Sequence, residues 1–259
     1  MNNIFNFTRF GKLFLKHTTE HFRSYLMSAL VLCGIMTIFY AFVLITGGRL
    51  SPGLRCSTLA IFYLLGGSIF TSTVFSAYGD KNKAISSLTL PASHLEKFLI
   101  GWVYSYLLYS TVFTVCFWSI DSCFMQFASA LENRKNLLDV MPDKFLMTMF
   151  SLYSIVHSVV IFGAVYFKNM HFVKTALYFF AAAAFLCLFH YSFMETLIAS
   201  ELVRFNPPFI NSLGVSDSQM YYLIQLDESE ARVYTGILLV GFTMVLWIAS
   251  FFEIKEKQI

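Results

Sequence analysis

Charge is scarce in this chain. Asp, Glu, Lys and Arg make up 13% of its 259 residues, about half the roughly 25% of an ordinary soluble domain. Hydrophobic residues make up 57%, and the mean hydropathy is +0.65. A soluble globule of this size lacks the polar residues to cover so much apolar surface. The shortage excludes a typical soluble enzyme and a disordered chain. Cysteines are few and unpatterned: Cys33, Cys56, Cys116, Cys123 and Cys187, an odd number with no CxxC. That speaks against a disulfide-stapled secreted domain and against a zinc site. A single Cys56–Cys123 bridge stays open, provided both face an oxidising compartment. The net charge of +3 is too small to point to nucleic acid. Catalytic signatures are missing as well. There is no GxSxG, no HExxH and no GxxxxGK[ST] phosphate-cradling loop, so no catalytic, cofactor or metal site is expected and no ATP hydrolysis by this chain alone.

What is present is six apolar runs: residues 25–46, 57–78, 101–120, 145–167, 175–194 and 233–252. Each is about the 20 residues that a helix needs to cross the hydrocarbon core. None contains Asp, Glu, Lys, Arg or Pro, and all five prolines (Pro52, Pro91, Pro142, Pro207, Pro208) fall between runs. The runs do not alternate as barrel strands do. The expected fold class is an all-α polytopic membrane protein with six transmembrane helices. Lys and Arg set its orientation. Eleven fall in the N-terminal segment, the second-to-third and fourth-to-fifth connections and the tail, against seven in the longer connections of the other side. Both termini are therefore expected in the cytoplasm, in a bacterial inner membrane, and the N-terminus reads as an uncleaved anchor.

Residues 1–24 form the first of two expected units, with the six-helix domain over 25–259. Ile4, Phe7, Phe10, Leu13 and Phe14 recur at helical spacing, while Arg9, Lys12 and Lys16 take the other side. This is the pattern of an amphipathic helix lying on the membrane surface among lipid headgroups. At the other end of the chain, residues 195–232 hold many apolar residues broken by Pro207-Pro208. Short helices that dip into the outer leaflet or cap the bundle suit them better than a solvated loop.

Side chains that ordinarily carry or gain charge near neutral pH are confined, inside the runs, to His157 and His190. Neither has an Asp, Glu, Lys, Arg or second His three or four residues away. Each reads as a neutral histidine bonded to a neighbouring helix rather than a proton relay or pore ligand. Glu195, Glu201 and Arg204 read as interfacial anchors. Gly66-Gly67 permits either a close helix approach or a hinge.

The most distinctive stretch joins the second and third runs. After Pro91, Ser93 and Glu96 stand as S-x-x-E, a capping box that starts a helix at His94. Leu95, Phe98 and Leu99 share one face of it, leaving His94 and Lys97 available to a partner. The alternative is that this helix is simply the beginning of span three. The segment LTLPASHLEKFLIGW resembles the cytoplasmic element of ABC-2-type permeases, which often reads LPxSxxEKxL, in the version found in small six-helix permease-like proteins of Bacteroidetes. The family layout is similar too, with an N-terminal surface helix, six spans, both ends inside and short helices in the last outer connection. The outer segment 121–144 is longer than is usual there. The resemblance implies the permease subunit of an ABC-type exporter. Its partners would be a separate ATP-binding cassette ATPase and a second permease chain, as a homo- or heterodimer. It implies a coupling helix formed by Pro91, Ser93, His94, Leu95, Glu96, Lys97 and Phe98, assisted by the surface helix with Phe7, Arg9, Phe10, Lys12, Phe14 and Lys16. The competing reading is a membrane-embedded accessory or sensor protein of the same fold. A lipid-modifying enzyme would need an interfacial polar cluster, which the sequence does not show.

Overall fold

Asn6 begins the first helix: its side-chain carbonyl accepts the backbone N–H of Thr8 at 2.9 Å and of Arg9 at 3.4 Å. From there α1 (Phe7–Ile45) runs 39 residues without a break. At 1.5 Å per residue it is about 58 Å long, nearly twice the roughly 30 Å hydrocarbon core. The computed structural model describes residues 5–79, 93–132, 143–168, 170–198, 212–216, 221–225 and 228–256. The remaining elements are α2 (Pro52–Gly79), α3 (His94–Trp102), a π-helical segment (Val103–Leu108), α4 (Tyr109–Glu132), α5 (Asp143–Tyr166), α6 (His171–Ile198), a hairpin of β1 (Ser212–Ser216) and β2 (Tyr221–Gln225), and α7 (Glu228–Glu256). Because α3, the π segment and α4 follow one another directly, six helical units among the described residues are long and apolar enough to cross a membrane. The chain is a multi-span integral membrane protein with an all-α transmembrane body.

Several boundaries differ from the sequence expectation. No break separates Phe7–Ser24 from the first span, because nothing between Arg9 and Ile45 stops a helix: there is no proline, and Gly11 and Gly34 each cost only about 1 kcal/mol. α1 ends instead at Gly47, whose φ of +75° suits a residue without a Cβ. Its N–H reaches the Leu44 carbonyl at 3.1 Å, and Gly48 N–H reaches that of Val43 at 2.8 Å. α2 begins five residues before the apolar run, with Ser51 Oγ accepting from Leu54 N–H at 3.3 Å and Pro52 at the first helical position. Proline is tolerated there because its missing N–H has no helical partner anyway. α4 extends twelve residues beyond the third run. Met125 is buried there, with Phe124 and Ala128 packed alongside, against Tyr40 and Leu50. The last connection carries an antiparallel hairpin, Ser212 paired with Gln225 through Ser216 with Tyr221, where short helices were expected. Residues 199–211 lie outside the described set.

Helices α2 and α5 form the centre, with α7 packed on α5. Met36, Leu59, Tyr63, Phe113, Phe117, Met149 and Tyr153 make one buried cluster. Phe75, Phe98, Ile161, Val165 and Ile254 belong to a second, which joins the start of α3 to the end of α7. In lipid the hydrophobic effect does not drive helices together; close packing and hydrogen bonds do. Gly66 and Gly67 serve that packing rather than a hinge. A Cβ on Gly66 would meet Leu32 Cδ1 at 2.6 Å and the Tyr109 hydroxyl at 2.8 Å; one on Gly67 would overlap the Tyr153 ring. α6 packs on α5 near its start, where Thr175 is buried against Gly163, and beyond that it opens outward: Leu177, Phe180, Phe185, Leu188 and Phe189 are all exposed, as lipid-facing residues can be without cost. The five cysteines are free thiols, Cys56 and Cys123 included.

Candidate functional site

The S-x-x-E pattern forms the capping box that its spacing predicts. Glu96 N–H donates to Ser93 Oγ at 3.2 Å, and Ser93 N–H donates to Glu96 Oε2 at 3.0 Å. The same carboxylate then does what the local pattern cannot reveal. It accepts Arg9 Nε at 2.7 Å on Oε2, and Arg9 Nη2 and the Asn6 backbone N–H, each at 2.8 Å, on Oε1. Glu96 is fully buried, while a third of the Arg9 side chain stays exposed. Glu96 thus caps its own helix, bonds the residue that caps α1, and pairs with the first arginine of α1. Two helix starts 87 residues apart are tied into one joint. Charge-assisted, two-pronged bonds of this kind fix geometry as well as energy.

The other predicted members of the coupling element are placed as follows. Pro91 lies outside the described residues. His94 and Leu95 are half-buried, and Phe98 is buried against Phe75, with ring centroids 5.9 Å apart. Lys97 is only 4% exposed. This corrects the expectation that it stays available to a partner. The helix packs on α1 along one side and on α7 along another, which leaves it less free surface than a helix lying loose on the membrane. α3 is also not a separate short helix; it is the first part of span three, the alternative reading of the sequence. Among the surface-helix residues, Phe7 is exposed, Phe10 is half-buried, and Phe14 stacks near Tyr104 with centroids 5.0 Å apart. The apolar face of this segment therefore packs partly on span three rather than facing acyl chains alone. Lys12 is exposed, and Lys16 lies 3.7 Å from Glu20.

The interior is aromatic and hydrogen-bonded. Ser105 Oγ lies 2.8 Å from His157 Nε2, and Trp247 Nε1 donates to His157 Nδ1 at 3.3 Å. An indole N–H is a donor only. Nδ1 therefore accepts, the ring is neutral, and its proton sits on Nε2 facing Ser105, whose hydroxyl goes on to the Gly101 carbonyl at 2.8 Å. The bland sequence reading of His157 holds. Tyr153 donates to the Ser105 carbonyl at 2.7 Å, and Tyr106 and Ser154 hydroxyls meet at 2.6 Å. A shallow apolar cleft with only about 10 Å³ of free interior is lined by Leu59, Tyr63, Phe113, Phe117, Met149 and Phe150. Its walls offer grease and ring faces, and no charge. Among the described residues no three His, Cys, Asp or Glu side chains gather as metal ligands would.

Sequence reasoning missed a second charged joint at the opposite end of the bundle. Arg55 Nε donates to Asp121 Oδ1 at 2.9 Å, Arg55 Nη2 bonds Oδ2, and the Tyr40 hydroxyl donates to Oδ1 at 3.1 Å. Arg55 is 5% exposed and Asp121 1%. Both residues flank apolar runs and read as loop charges. The available signal was that each stands one helical turn or less outside its run, where a helix that overshoots carries it into the bundle. The chain matches no family model, no characterised protein and no solved structure, so the geometry of these two joints, on a six-span membrane body, is what a functional reading has to build on.

Proposed function

We propose that this chain is the permease subunit of an ABC-type exporter of the ABC-2 kind, worked by a separate ATP-binding cassette subunit on the cytoplasmic side. The observation that carries the reading is the joint at Glu96. A push delivered at one end of the bundle moves span three and the first helix only if their ends behave as one body, and the Ser93–Glu96–Arg9–Asn6 bonds make them so. The Lys and Arg bias puts that end in the cytoplasm. With Lys97 buried, the contact surface falls to the half-buried His94 and Leu95 and to the exposed Lys12 and Lys255. The closed aromatic interior favours a pathway between two permease chains over one within a chain. That same closed interior is the observation behind the second reading, an accessory or sensor protein that transports nothing.

Three measurements test the proposal. Maleimide applied to intact cells should label cysteines placed in 133–142 but none placed at Lys255; tail labelling would reverse the topology. The purified chain should show only background ATP hydrolysis, because it has no phosphate-cradling loop; turnover that survives removal of every other polypeptide would contradict the subunit reading. An ATP-binding cassette protein encoded beside this chain should co-purify with it. Ser93→Ala/Glu96→Ala should reduce that capture severalfold at equal membrane levels. No capture by the wild-type chain would leave the sensor reading in place.

A further inference from the structure

The outward face of α1 changes character along its length. Lys12, Lys16, Thr19 and Arg23 follow one another at i, i+4, i+7 and i+11, the spacing of one helix face, and all four are exposed. The opposite face is the packed one: Phe14, Thr18 and Tyr25 meet Tyr104 of span three. Glu20, beside the stripe, lies 3.7 Å from Lys16 with both side chains about half exposed, a loose pair that leaves the stripe net positive. Leu15, Phe22 and Leu26 run along its edge and are exposed as well. Neighbouring contacts fix the height of the stripe. Trp102 meets Trp247 of α7, with ring centroids 5.3 Å apart. Two residues on, about 3 Å along span three, Tyr104 meets Thr18. Ile248 and the segment from Lys16 to Thr19 therefore stand at nearly the same height in the bundle. Ile248 is 54% exposed, and Phe252, one turn nearer the end of the bundle, is 49% exposed. Apolar outward surface on the α7 flank thus continues past a height at which the α1 flank presents lysine and arginine. A flat leaflet would either immerse those charges in hydrocarbon or leave Ile248 and Phe252 in water. Arg23 stands about 10 Å further in along α1 than Lys16, so a bend of its side chain alone does not bring its charge to the headgroup level of the α7 flank. Local thinning of the bilayer does.

We propose that the leaflet at this end of the bundle dips along α1, and that an anionic lipid occupies the dip with its phosphate over Thr19, between Lys16 and Arg23. Lys12 draws anionic headgroups toward the mouth of the dip, as basic side chains at an anionic surface do. Leu15, Phe22 and Leu26 receive the acyl chains, and it is this interleaving of rings and aliphatic groups with charge that fits a lipid better than a water-filled channel. A helix lying flat would keep all its charges at one depth. Because α1 stands upright along span three, tied there by Arg9–Glu96 and by the Tyr104 contacts, it carries its basic face inward. The site goes beyond the transport reading and holds equally for an accessory or sensor protein.

The test reads depth and lipid choice on the full chain. For depth, spin labels go singly on Thr19→Cys and on Ile248→Cys in nanodiscs, with the five native cysteines replaced by Ser. Relaxation by a water-soluble nickel chelate and by oxygen, which partitions into lipid, places each label. The Thr19 label should be relaxed mainly by nickel and the Ile248 label mainly by oxygen. Two aqueous labels would mean that the whole end of the bundle stands outside the bilayer, and two lipidic labels would mean a flat leaflet; either overturns the dip. A Thr19 label shielded from both probes would mean that protein covers the stripe, and overturns the site. For lipid choice, chain extracted from membranes of equal phosphatidylglycerol and phosphatidylcholine is analysed by native mass spectrometry. Retained lipid should favour phosphatidylglycerol. Lys12→Gln/Lys16→Gln/Arg23→Gln should cut that preference about tenfold or more, since each Lys or Arg beside an anionic surface is worth roughly fivefold. Lys168→Gln/Lys174→Gln/Lys255→Gln removes the same charge from other exposed positions at this end and should leave the preference in place. Equal loss in both variants overturns the site, and so does displacement of phosphatidylglycerol by inorganic phosphate. Should the first variant not reach the membrane, Lys16→Gln/Arg23→Gln must lower the preference, and an unchanged ratio counts against the site.

Discussion

Asp121→Ala is expected to lower the unfolding free energy by about 3–5 kcal/mol, because it strands the buried Arg55 guanidinium without its counter-charge. The Tyr40 hydroxyl loses its acceptor in the same step. Reversible unfolding in mixed micelles, followed by circular dichroism, measures the loss. The companion experiment separates the worth of the pair from the penalty of breaking it. Arg55→Met/Asp121→Leu replaces both charges by apolar groups of similar length and should recover most of the loss, since a buried pair often roughly breaks even against a well-packed apolar substitute. A double variant as unstable as Asp121→Ala would mean that the charges themselves hold α2, α4 and α1 together. A single variant of wild-type stability would mean that Arg55 finds water or another acceptor when Asp121 is gone.

Gly67→Ala is expected to cost about 1–3 kcal/mol, the usual range for forcing an extra carbon into a packed interior. The added Cβ would overlap the Tyr153 ring and lie 2.8 Å from Tyr109 Cε1. Neither ring can retreat: Tyr153 is fully buried and hydrogen-bonded to the Ser105 carbonyl, and Tyr109 donates to the carbonyls of Phe62 and Tyr63 at 3.2 and 3.1 Å. Gly34→Ala supplies the opposite sign in the same assay. Gly34 has nothing within 4 Å of the added carbon, so the exchange should stabilise α1 by roughly 0.5–1 kcal/mol through backbone entropy alone. If both exchanges stabilise, Gly67 is a tolerated weak point and not a contact site.

The sequence by itself determined the parts of this protein that depend on nearest neighbours and on solvent. Six charge-free, proline-free runs must be helices in lipid, because no other open structure satisfies their backbone groups there. Ser93 and Glu96 are three residues apart, so their capping box is a local geometry that no distant packing had to supply. The neutral state of His157 was legible from the absence of any acidic, basic or second His residue one turn away, although Trp247 and Ser105 as its actual partners were not. Only the tertiary structure decided that the N-terminal segment and the first span are one helix, that Lys97 turns inward, that the last connection carries a hairpin, and which arginine meets which carboxylate. Arg9 and Glu96 are separated by 87 residues and Arg55 and Asp121 by 66. At such separations pairing depends on which helices are neighbours, on their relative rotation, and on how far each continues past its apolar run. Hydrophobic pattern leaves all three free, since lipid rewards any outward-facing apolar surface equally, and it is close packing between particular helix faces that selects among the arrangements.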